Sequence, residues 1–388
     1  MLALPIKYNI RNVLVRWRST LATILGVALV VAVFVLVQAL AVGLEAAGAN
    51  TGVEGNLLVM RKGSTSESSS QVTLAQVKTI QFLEGVARDD QGKPLISPDV
   101  LVLINLPRRE NKGEANVLVR GIGPNGAKLR PQVTLIDGRW FTPGRREVAI
   151  SKRLSERFAE TGLGEKFKTG GHELTVVGHF DAGSTAFDSE IWMDGDECRS
   201  IFDREYYSSL LLKTTDPVAA TKLAARIEKD KTLSLKVLPE TEFYASQTKT
   251  AGPIKYLGGF LAIAMSIGAV FSAMNTMYAS VGARTREVGT LRVLGYRRRT
   301  ILLSFLIEGA FLAALGGALG CLLALPMNGM ATGTLSFDNF AESVFEFRIT
   351  PKLAASALLF SICVGVLGSL LPAIRAARLP VISSLKAV

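Results

Sequence analysis

The stretch LATILGVALVVAVFVLVQALAVGL, residues 21–44, decides the fold class of this chain. It runs for 24 residues without a charged side chain, and Gln38 is its only strongly polar residue. About 20 apolar residues in a helix are enough to cross the hydrocarbon core of a bilayer. A secretory signal peptide has a shorter apolar core, so we interpret this stretch as an uncleaved membrane anchor.

Three further stretches have the length and composition of membrane spans. Each is predominantly apolar over about 20 positions, the length that a transmembrane helix needs. These stretches predict an α-helical integral membrane protein with four transmembrane helices. The predicted spans are residues 21–44, 253–279, 300–325 and 353–372.

Small residues recur at a spacing of four within the later spans. Gly268 lies four residues after Ala264, and Gly320 lies four residues after Gly316. This spacing lets two helices approach closely, as in tight transmembrane packing. We interpret Gly316, Gly320 and Gly365 as helix-packing residues, with chance as the alternative in a chain that holds 36 glycines.

The formal charge of +11 is concentrated beside the predicted spans. Residues 1–20 hold four basic side chains and no acid, and residues 280–299 hold six arginines and one acid. The positive-inside rule places both of these segments in the cytoplasm, and residues 45–252 and 326–352 outside. A nucleic-acid-binding protein would carry its basic excess on a soluble domain, whereas residues 45–252 are balanced in charge.

The two ends of the chain are predicted to lie on the cytoplasmic side of the membrane. Residues 1–20 place Ile6, Ile10 and Val13 on one stripe of a helix. An amphipathic helix of this kind lies in the membrane interface, where it contacts lipids. Residues 373–388 are predicted to form a short basic tail.

Residues 45–252 are predicted to form a mixed α/β domain outside the membrane. Strand-like runs alternate there with helical patterns, as is typical of such domains. One helical pattern begins at Asp216, which can cap a helix whose first position is Pro217. The strand-like runs are residues 100–106, 116–122, 147–151, 172–180 and 209–214, and a second helical pattern covers residues 151–162.

Two polar segments of this domain are predicted to lie in loops. RKGSTSESSSQ, residues 61–71, is rich in serine, which indicates a mobile loop. DSEIWMDGDEC, residues 188–198, clusters acids around Gly195 but lacks the ligand spacing of a calcium loop. We interpret the second segment as a solvated turn.

No pattern in the sequence indicates catalysis or metal binding. His172 and His179 are seven residues apart in one strand-like run, so they point to opposite faces of it. The G-x-S-x-G motif of a nucleophilic serine is missing, and Cys198 is the only cysteine of the outer domain. We therefore expect no catalytic residue, no metal site and no disulfide in that domain.

The segment between the second and third spans has a pattern of its own. In REVGTLRVLG, residues 286–295, Val288, Leu291 and Leu294 repeat at helical spacing, and Gly295 can stop the helix in a left-handed conformation. Thr300 can then cap the third span. The alternatives are an orienting basic loop and a docking helix for a cytoplasmic partner. Only the docking helix explains the amphipathic pattern and its glycine stop as well as the arginines.

This segment resembles the signature of the MacB/FtsX-type, or type VII, permeases of ABC transporters. Glu308 fits the acid that this family carries in its third span. GRWF at residues 138–141, EVAIS at 147–151 and PAIRAARLP at 372–380 are similar to other parts of the family, and the resemblance covers essentially the whole chain. The residues that match the signature are Arg286, Glu287, Gly289, Leu291, Arg292, Leu294 and Gly295.

The resemblance implies a mechanism and a set of partners. Such permeases pair as dimers, here expected to be homodimers, and each binds a cytoplasmic ABC ATPase through the helix at residues 286–295. The sequence has no G-x-x-x-x-G-K-[ST] loop, so we expect no cofactor on this chain, and ATP and Mg²⁺ on two copies of a separate ATPase. A bacterial inner membrane, a periplasmic adaptor and an outer-membrane channel are the implied setting.

The implied function is export of a lipid, peptide or drug, with work done in the periplasm rather than through a channel in the spans. Two alternatives share these signatures. One is FtsX-like mechanical signalling to a cell-wall hydrolase, and the other is extraction of lipoproteins from the inner membrane.

Overall fold

The computed structural model describes residues 17–109, 113–247, 251–335 and 342–380. It divides into two compact units. The membrane unit comprises residues Met1–Val42, Gly252–Met330 and Phe347–Val388, and the sheet unit comprises Gly43–Ala251 and Ala331–Glu346. The predicted interfacial helix lies almost wholly outside the described residues, as does the second half of the predicted tail.

Helices occur in both units. Those of the described residues are α1 (Trp17–Ala49), α2 (Leu74–Ile80), α3 (Lys152–Ser155), α4 (Gly195–Ile201), α5 (Pro217–Lys229), α6 (Glu240–Gln247), α7 (Ala251–Ala283), α8 (Thr285–Val293), α9 (Arg298–Ala324) and α10 (Pro351–Arg378).

Four of these helices are long and apolar enough to cross a membrane, which confirms the predicted fold class. The stretches that qualify are Thr20–Ala49, Tyr256–Ala283, Arg298–Met327 and Pro351–Arg378. Each stretch continues past the C-terminal end of its predicted span, and the second begins three residues after its predicted start.

The sheet unit is built on one mixed sheet. Its strands are β1 (Asn56–Arg61), β2 (Ile96–Pro107), β3 (Glu114–Ile122), β4 (Thr134–Gly138), β5 (Glu147–Ser151), β6 (Lys166–Thr169), β7 (His172–Asp181), β8 (Glu190–Asp194), β9 (Ser209–Lys213) and β10 (Leu235–Pro239), and a separate hairpin joins β11 (Ala331–Leu335) to β12 (Glu342–Glu346). The order in the sheet is β10-β1-β9-β2-β3-β8-β5-β7-β4, with β6 paired to β7.

Both faces of this sheet are covered. Successive residues of a strand point to opposite faces, and along β1 Leu57 and Val59 join one buried cluster while Leu58 and Met60 join another. The second cluster is aromatic and includes Trp192, whose ring lies 5.1 Å from that of Phe180. The sheet unit therefore has two hydrophobic layers, consistent with the predicted mixed α/β domain.

A buried polar network crosses the sheet next to the aromatic layer. Arg120 on β3 donates to Glu190 on β8, with both N–O distances 2.8 Å, and to Glu67 at 3.0 and 3.1 Å. Arg130 donates to Asp99 on β2 at 2.5 Å. Charged groups enter a protein interior only when they are paired and hydrogen-bonded, and each of these has its partner.

The mobile-loop prediction for residues 61–71 is wrong. Glu67, in the middle of that segment, is buried and receives hydrogen bonds from Arg120 and from the Ser209 hydroxyl at 2.6 Å. Burial by itself raises the pKa of Glu67, but the charges and hydrogen bonds of Arg120, Ser209 and Arg130 together lower it more, so the net shift is downward. One carboxylate thus fixes a serine-rich segment that composition describes as loose.

Three further expectations fail in the sheet unit and beside the third span. Residues 188–198 are not a solvated turn, since they include the interior strand β8 with Trp192 fully buried. The helix predicted over residues 151–162 is confined to the single turn of α3. Thr300 does not cap the third span, because α9 begins two residues earlier, at Arg298.

The segment between the third and fourth spans contributes structure to the sheet unit. Glu346, at the end of β12, forms an ion pair with Arg153 at 2.7 Å and accepts a hydrogen bond from the Ser184 hydroxyl at 3.1 Å. Arg153 also lies 3.5 Å from the carboxylate of Asp188. The sequence predicts only a short loop at residues 326–352, whereas β11 and β12 belong to the compact sheet unit.

Candidate functional site

The segment with the seven signature residues forms α8, a helix of nine residues in the membrane unit. One residue, Arg284, separates it from the end of α7, and a short turn separates it from the start of α9. The helix is therefore tied at both ends to long apolar helices.

The end of α8 is fixed by a double hydrogen bond around Gly295. The N–H of Tyr296 donates to the carbonyl of Leu291 at 3.1 Å, and the N–H of Gly295 donates to the carbonyl of Arg292 at 3.2 Å. Gly295 has a φ of +91°. This is the Schellman arrangement, in which a left-handed residue satisfies the last carbonyl groups of a helix. The structure thus gives Gly295 the stop conformation expected from its sequence position.

One face of α8 is buried against other helices of the membrane unit. Val288 belongs to a cluster that also contains Met277 of α7, Ile301 and Phe305 of α9, and Ala373 of α10. Gly289, beside Val288, is buried too. Three helices therefore hold the position of α8.

The other face of α8 is exposed. Arg286 and Glu287 are exposed on its first turn. Val293 and Leu294 are 61% and 66% exposed at its end. Leu291 and Arg292 are half-buried.

The predicted apolar stripe is only partly right. It groups Val288, Leu291 and Leu294 on one face, but Leu294 is the residue that caps the helix. Its φ and ψ are −69° and 1°, and its side chain is exposed at the end of the helix. Val293, which the stripe omits, is exposed beside it in sequence. The exposed apolar residues at the end of α8 are thus consecutive rather than helically spaced.

Glu308 of α9 is buried in the membrane unit and forms an ion pair with Arg284. The two Nη atoms of Arg284 donate to the two carboxylate oxygens of Glu308, at 2.9 and 3.1 Å. Both side chains are about 5% exposed. Paired planar groups of this kind form the strongest and most directional of ion pairs.

Sequence reasoning identified Glu308 and missed Arg284, which it counted only as one of six arginines. The sequence did contain a signal for such a partner, because an acid within an apolar span needs a cation to neutralise it. Arg284 is the first cation after the second span and lies one residue before α8.

The three glycines predicted to mediate helix packing lie at close helix contacts. A Cβ atom built on Gly316 would lie 2.9 Å from the carbonyl oxygen of Ile24 in α1, and one on Gly320 would lie 2.6 Å from that of Ala28. A Cβ on Gly365 of α10 would lie 2.7 Å from the carbonyl oxygen of a glycine in α9, Gly309. Each contact brings one helix against the backbone of another.

Gly268 behaves differently. A Cβ atom at this position would meet no atom within 4 Å, so the small-residue pair that it forms with Ala264 packs against no described part of the chain. Both residues lie on the exposed face of α7.

Metal binding finds no support in the described residues, where no group of three or more histidines, cysteines or acids is arranged to hold an ion. His172 and His179 differ in exposure, and the ring of His179 is buried, with its Nε2 atom 3.0 Å from the carbonyl oxygen of Thr161. The candidate site is therefore an exposed helix face with a buried ion pair behind it.

Two protein-family models match successive parts of the chain. The model described as the MacB-like periplasmic core domain matches residues 19–230, and that of the FtsX-like permease C-terminal region matches residues 259–381. The chain belongs to the MacB/FtsX family of ABC transporter permeases. The second match contains α8, Arg284 and Glu308, so the candidate site lies in the FtsX-like part of the family fold.

Two relatives match most of the length of this chain. An uncharacterized ABC transporter permease of Bacillus subtilis, YknZ, is 28% identical over 298 residues, which cover 73% of each chain. The macrolide export ATP-binding/permease protein MacB of Pasteurella multocida is 25% identical over 335 residues. That match covers 82% of this chain but only 48% of MacB, so the chain spans about half the length of that relative.

Among solved structures, the periplasmic region of MacB from Actinobacillus actinomycetemcomitans aligns with 51% of this chain and 94% of its own length. The TM-score is 0.39 at 13% sequence identity.

Proposed function

We propose that this permease couples ATP hydrolysis on a separate ATPase chain to conformational work in the periplasm. The observation that carries the proposal is the distribution of buried and exposed residues on α8. Its buried face is fixed by Val288 and by the Arg284–Glu308 pair, while Val293 and Leu294 are exposed at its end. Exposed apolar residues on a rigid, charged helix are suited to a protein contact.

The ATPase is assigned to a second chain because the sequence contains no G-x-x-x-x-G-K-[ST] loop to hold nucleotide phosphates. ATP and Mg²⁺ would then bind to that partner, and this chain would have no catalytic role. Two copies of the ATPase would serve two copies of the permease.

The proposed orientation puts both termini and α8 in the cytoplasm of a bacterial inner membrane, with the sheet unit in the periplasm. The arginine-rich segment around α8 supports this orientation, because basic residues are retained on the cytoplasmic side. Arg297, Arg298 and Arg299 are exposed just after α8 and would contact lipid phosphates there.

The proposed conformational work in the periplasm drives export of a lipid, peptide or drug. The exported molecule would pass through a periplasmic adaptor and an outer-membrane channel. The support is the sheet unit, whose family model is that of MacB, together with relatives whose names give macrolide export as their function.

A pull-down of the chain from its native membranes in mild detergent tests the proposal. We expect an ABC ATPase, an adaptor and an outer-membrane channel among the co-purifying proteins. An ATPase with a cell-wall hydrolase, or with a lipoprotein carrier and no adaptor, would replace export by signalling or by lipoprotein extraction. Absence of any ATPase would contradict the proposal as a whole.

A pair of matched variants tests the docking face. Val293→Asp and Leu294→Asp should weaken binding of the co-purified ATPase by about tenfold or more, since a charge in the centre of an apolar interface is strongly unfavourable. Val218→Asp, at a valine of the sheet unit that is 63% exposed, is the control. Equal ATPase recovery from all three variants would show that α8 is not the docking helix.

A further inference from the structure

The ion pair between Arg284 and Glu308 connects the segment that begins α8 with the interior of α9. We infer that these two residues are positioning residues that make α8 and α9 move as one body when the ATPase displaces α8. The inference rests on the proposed function, because it assigns a role within the coupling that α8 is proposed to perform.

Arg284 lies at the junction of two helices. It is the one residue between α7 and α8, with φ −110° and ψ 11°, values that belong to neither helix interior. Its N–H donates to the carbonyl of Val281 in α7 at 3.1 Å, and its own carbonyl accepts from the N–H of Val288 in α8 at 2.9 Å. The backbone of Arg284 therefore joins α7 to α8, and its side chain connects both of them to α9 through Glu308.

The ion pair has a defined geometry, with both Nη atoms of Arg284 donating to the Glu308 carboxylate. Two hydrogen bonds between planar groups fix both distance and orientation, so neither helix can slide or rotate at this point without breaking one of them. The apolar cluster that Val288 shares with Ile301 and Phe305 lacks this directionality. The ion pair is thus the contact between α8 and α9 that resists displacement along the helix axis.

Both side chains of the Arg284–Glu308 pair are buried in the membrane unit. Removing two charges from water is costly, and a well-packed apolar pair at a buried position often gives equal or greater stability. An ion pair is therefore an inefficient way to stabilise this site. Fixing one arrangement of the helices is a role that apolar side chains fill less well.

The surroundings of Glu308 extend the connection to the fourth span. The next residue, Gly309, lies so close to α10 that a Cβ atom there would be 2.6 Å from the Cβ of Ser369 and 3.1 Å from the carbonyl oxygen of Gly365. A displacement of α9 at Glu308 therefore meets α10 directly. Arg284, Glu308, Gly309 and Ser369 form one continuous line of contacts within the membrane unit.

The experiment compares the wild-type chain with Arg284→Gln, Glu308→Gln and the double variant, each in complex with the ATPase that co-purifies with the wild type. The double variant removes both charges and leaves no unpaired ion, so it should assemble even where a single variant does not. Spin labels at Thr290→Cys in α8 and Leu315→Cys in α9, on a background without native cysteines, report the distance between the two helices. Both positions are exposed.

In the wild type, adding ATP with vanadate should leave the label distance unchanged while ATP turnover responds to the permease. In the double variant, the ATPase should remain bound, the distance should change with nucleotide, and permease-dependent ATP turnover should fall about tenfold, a typical size for coupling between sites. A purely structural role would lower the yield of the complex without producing a nucleotide-dependent distance.

A thermodynamic cycle gives a second readout. Each single substitution already breaks the Arg284–Glu308 ion pair. The single and double variants that assemble should therefore lose about the same permease-dependent ATP turnover. A double variant whose distance and turnover match the wild type would overturn the inference. If the wild-type chain recruits no ATPase, the proposed function is wrong. This result is distinct from failure of the inference, which requires a bound ATPase and a double variant that behaves like the wild type.

Discussion

The Arg284 guanidinium and the Glu308 carboxylate, 24 positions apart in sequence, form a buried pair with two hydrogen bonds, at 2.9 and 3.1 Å. This pair joins the start of α8 to α9, and a left-handed glycine fixes the other end of α8. The signature segment of the family is thus held at both ends, with its exposed residues between and beside these two points.

The stop at Gly295 predicts a backbone effect on α8. Gly295→Ala should destabilise the end of α8 by about 1 kcal/mol, because an L-residue pays that much to adopt a left-handed conformation. No described atom lies within 4 Å of a Cβ atom at this position, so a steric clash adds nothing. The measurement is thermal unfolding of the detergent-solubilised chain together with ATPase recovery.

Gly282→Ala is the matched control for that substitution. It is another exposed glycine with no described atom within 4 Å of an added Cβ, but it lies inside α7 and has no left-handed φ. It should be neutral or slightly stabilising, since alanine favours the helix. Equal destabilisation by both substitutions would contradict the assigned role of Gly295.

The buried carboxylate of Glu67 predicts a large effect on the sheet unit. Glu67→Ala should cost about 3–5 kcal/mol of unfolding free energy, because it leaves part of the Arg120 charge unpaired in the interior. Lys62→Ala, at an exposed residue of the same segment, should stay within about 0.5 kcal/mol of wild type. Chemical denaturation with Trp192 as the fluorescent probe compares them, and similar midpoints would restore the mobile-loop interpretation.

The pair between Arg139 and Glu147 predicts a dependence of stability on acid. Hydrogen bonds from Arg139, both at 2.7 Å, are the main cause that lowers the pKa of Glu147 from an ordinary 4.5 to about 2. The unfolded state therefore binds a proton more readily than the folded state. The stabilisation is present above pH 4.5 and is lost as the pH falls toward 2.

Glu147→Gln should remove this contribution. The melting temperatures of wild type and variant should differ most above pH 4.5 and converge as the pH falls through about 2, since the folded wild-type carboxylate takes up its proton over that range. Scanning calorimetry of the solubilised chain across this range makes the comparison. A constant difference between the two proteins at every pH would show that the ion pair does not cause the effect.

The close approach of α9 to α1 predicts a difference between two glycines. Gly320→Ala should destabilise the membrane unit by about 1–3 kcal/mol, the usual cost of overpacking, because the new methyl group would press on the backbone of α1. Gly268→Ala adds the same methyl group where no described atom lies within 4 Å.

Monodisperse yield and thermal stability in detergent are the measurements for both glycine variants. The Gly268 variant should keep wild-type values. A Gly320 variant as stable as wild type would show that α1 and α9 are not packed through this glycine.

Much of the fold was predictable because it depends on local composition. The four membrane helices follow from runs of apolar residues that no soluble domain would expose, and the α5 start follows from Asp216, whose side chain accepts from the N–H groups of Val218 and Ala219. The stop at Gly295 was predictable for the same reason, since only the local backbone is involved.

Predictions that depended on distant partners did less well. Residues 61–71 are loop-like in composition, and only Arg120 and Ser209 in the folded sheet unit make Glu67 a buried anchor. Residues 188–198 are acidic at their ends, which concealed the buried strand β8 between β3 and β5. Hydropathy is an average over a segment. The burial of each residue depends instead on the side chains that pack against it in the folded protein.

The sequence by itself therefore determined that this is a four-span membrane protein of the MacB/FtsX type, with a helix bearing the family signature after the second span. Local hydrophobicity, charge and a single glycine carry that information. Tertiary structure alone decided that Arg284 pairs with Glu308, that Glu67 lies inside the sheet unit, and that Val293 and Leu294 are exposed. The two ion pairs depend on residues far apart in sequence, whose contact arises only when the chain is packed. The exposure of Val293 and Leu294 depends on which side of α8 is packed against the other helices.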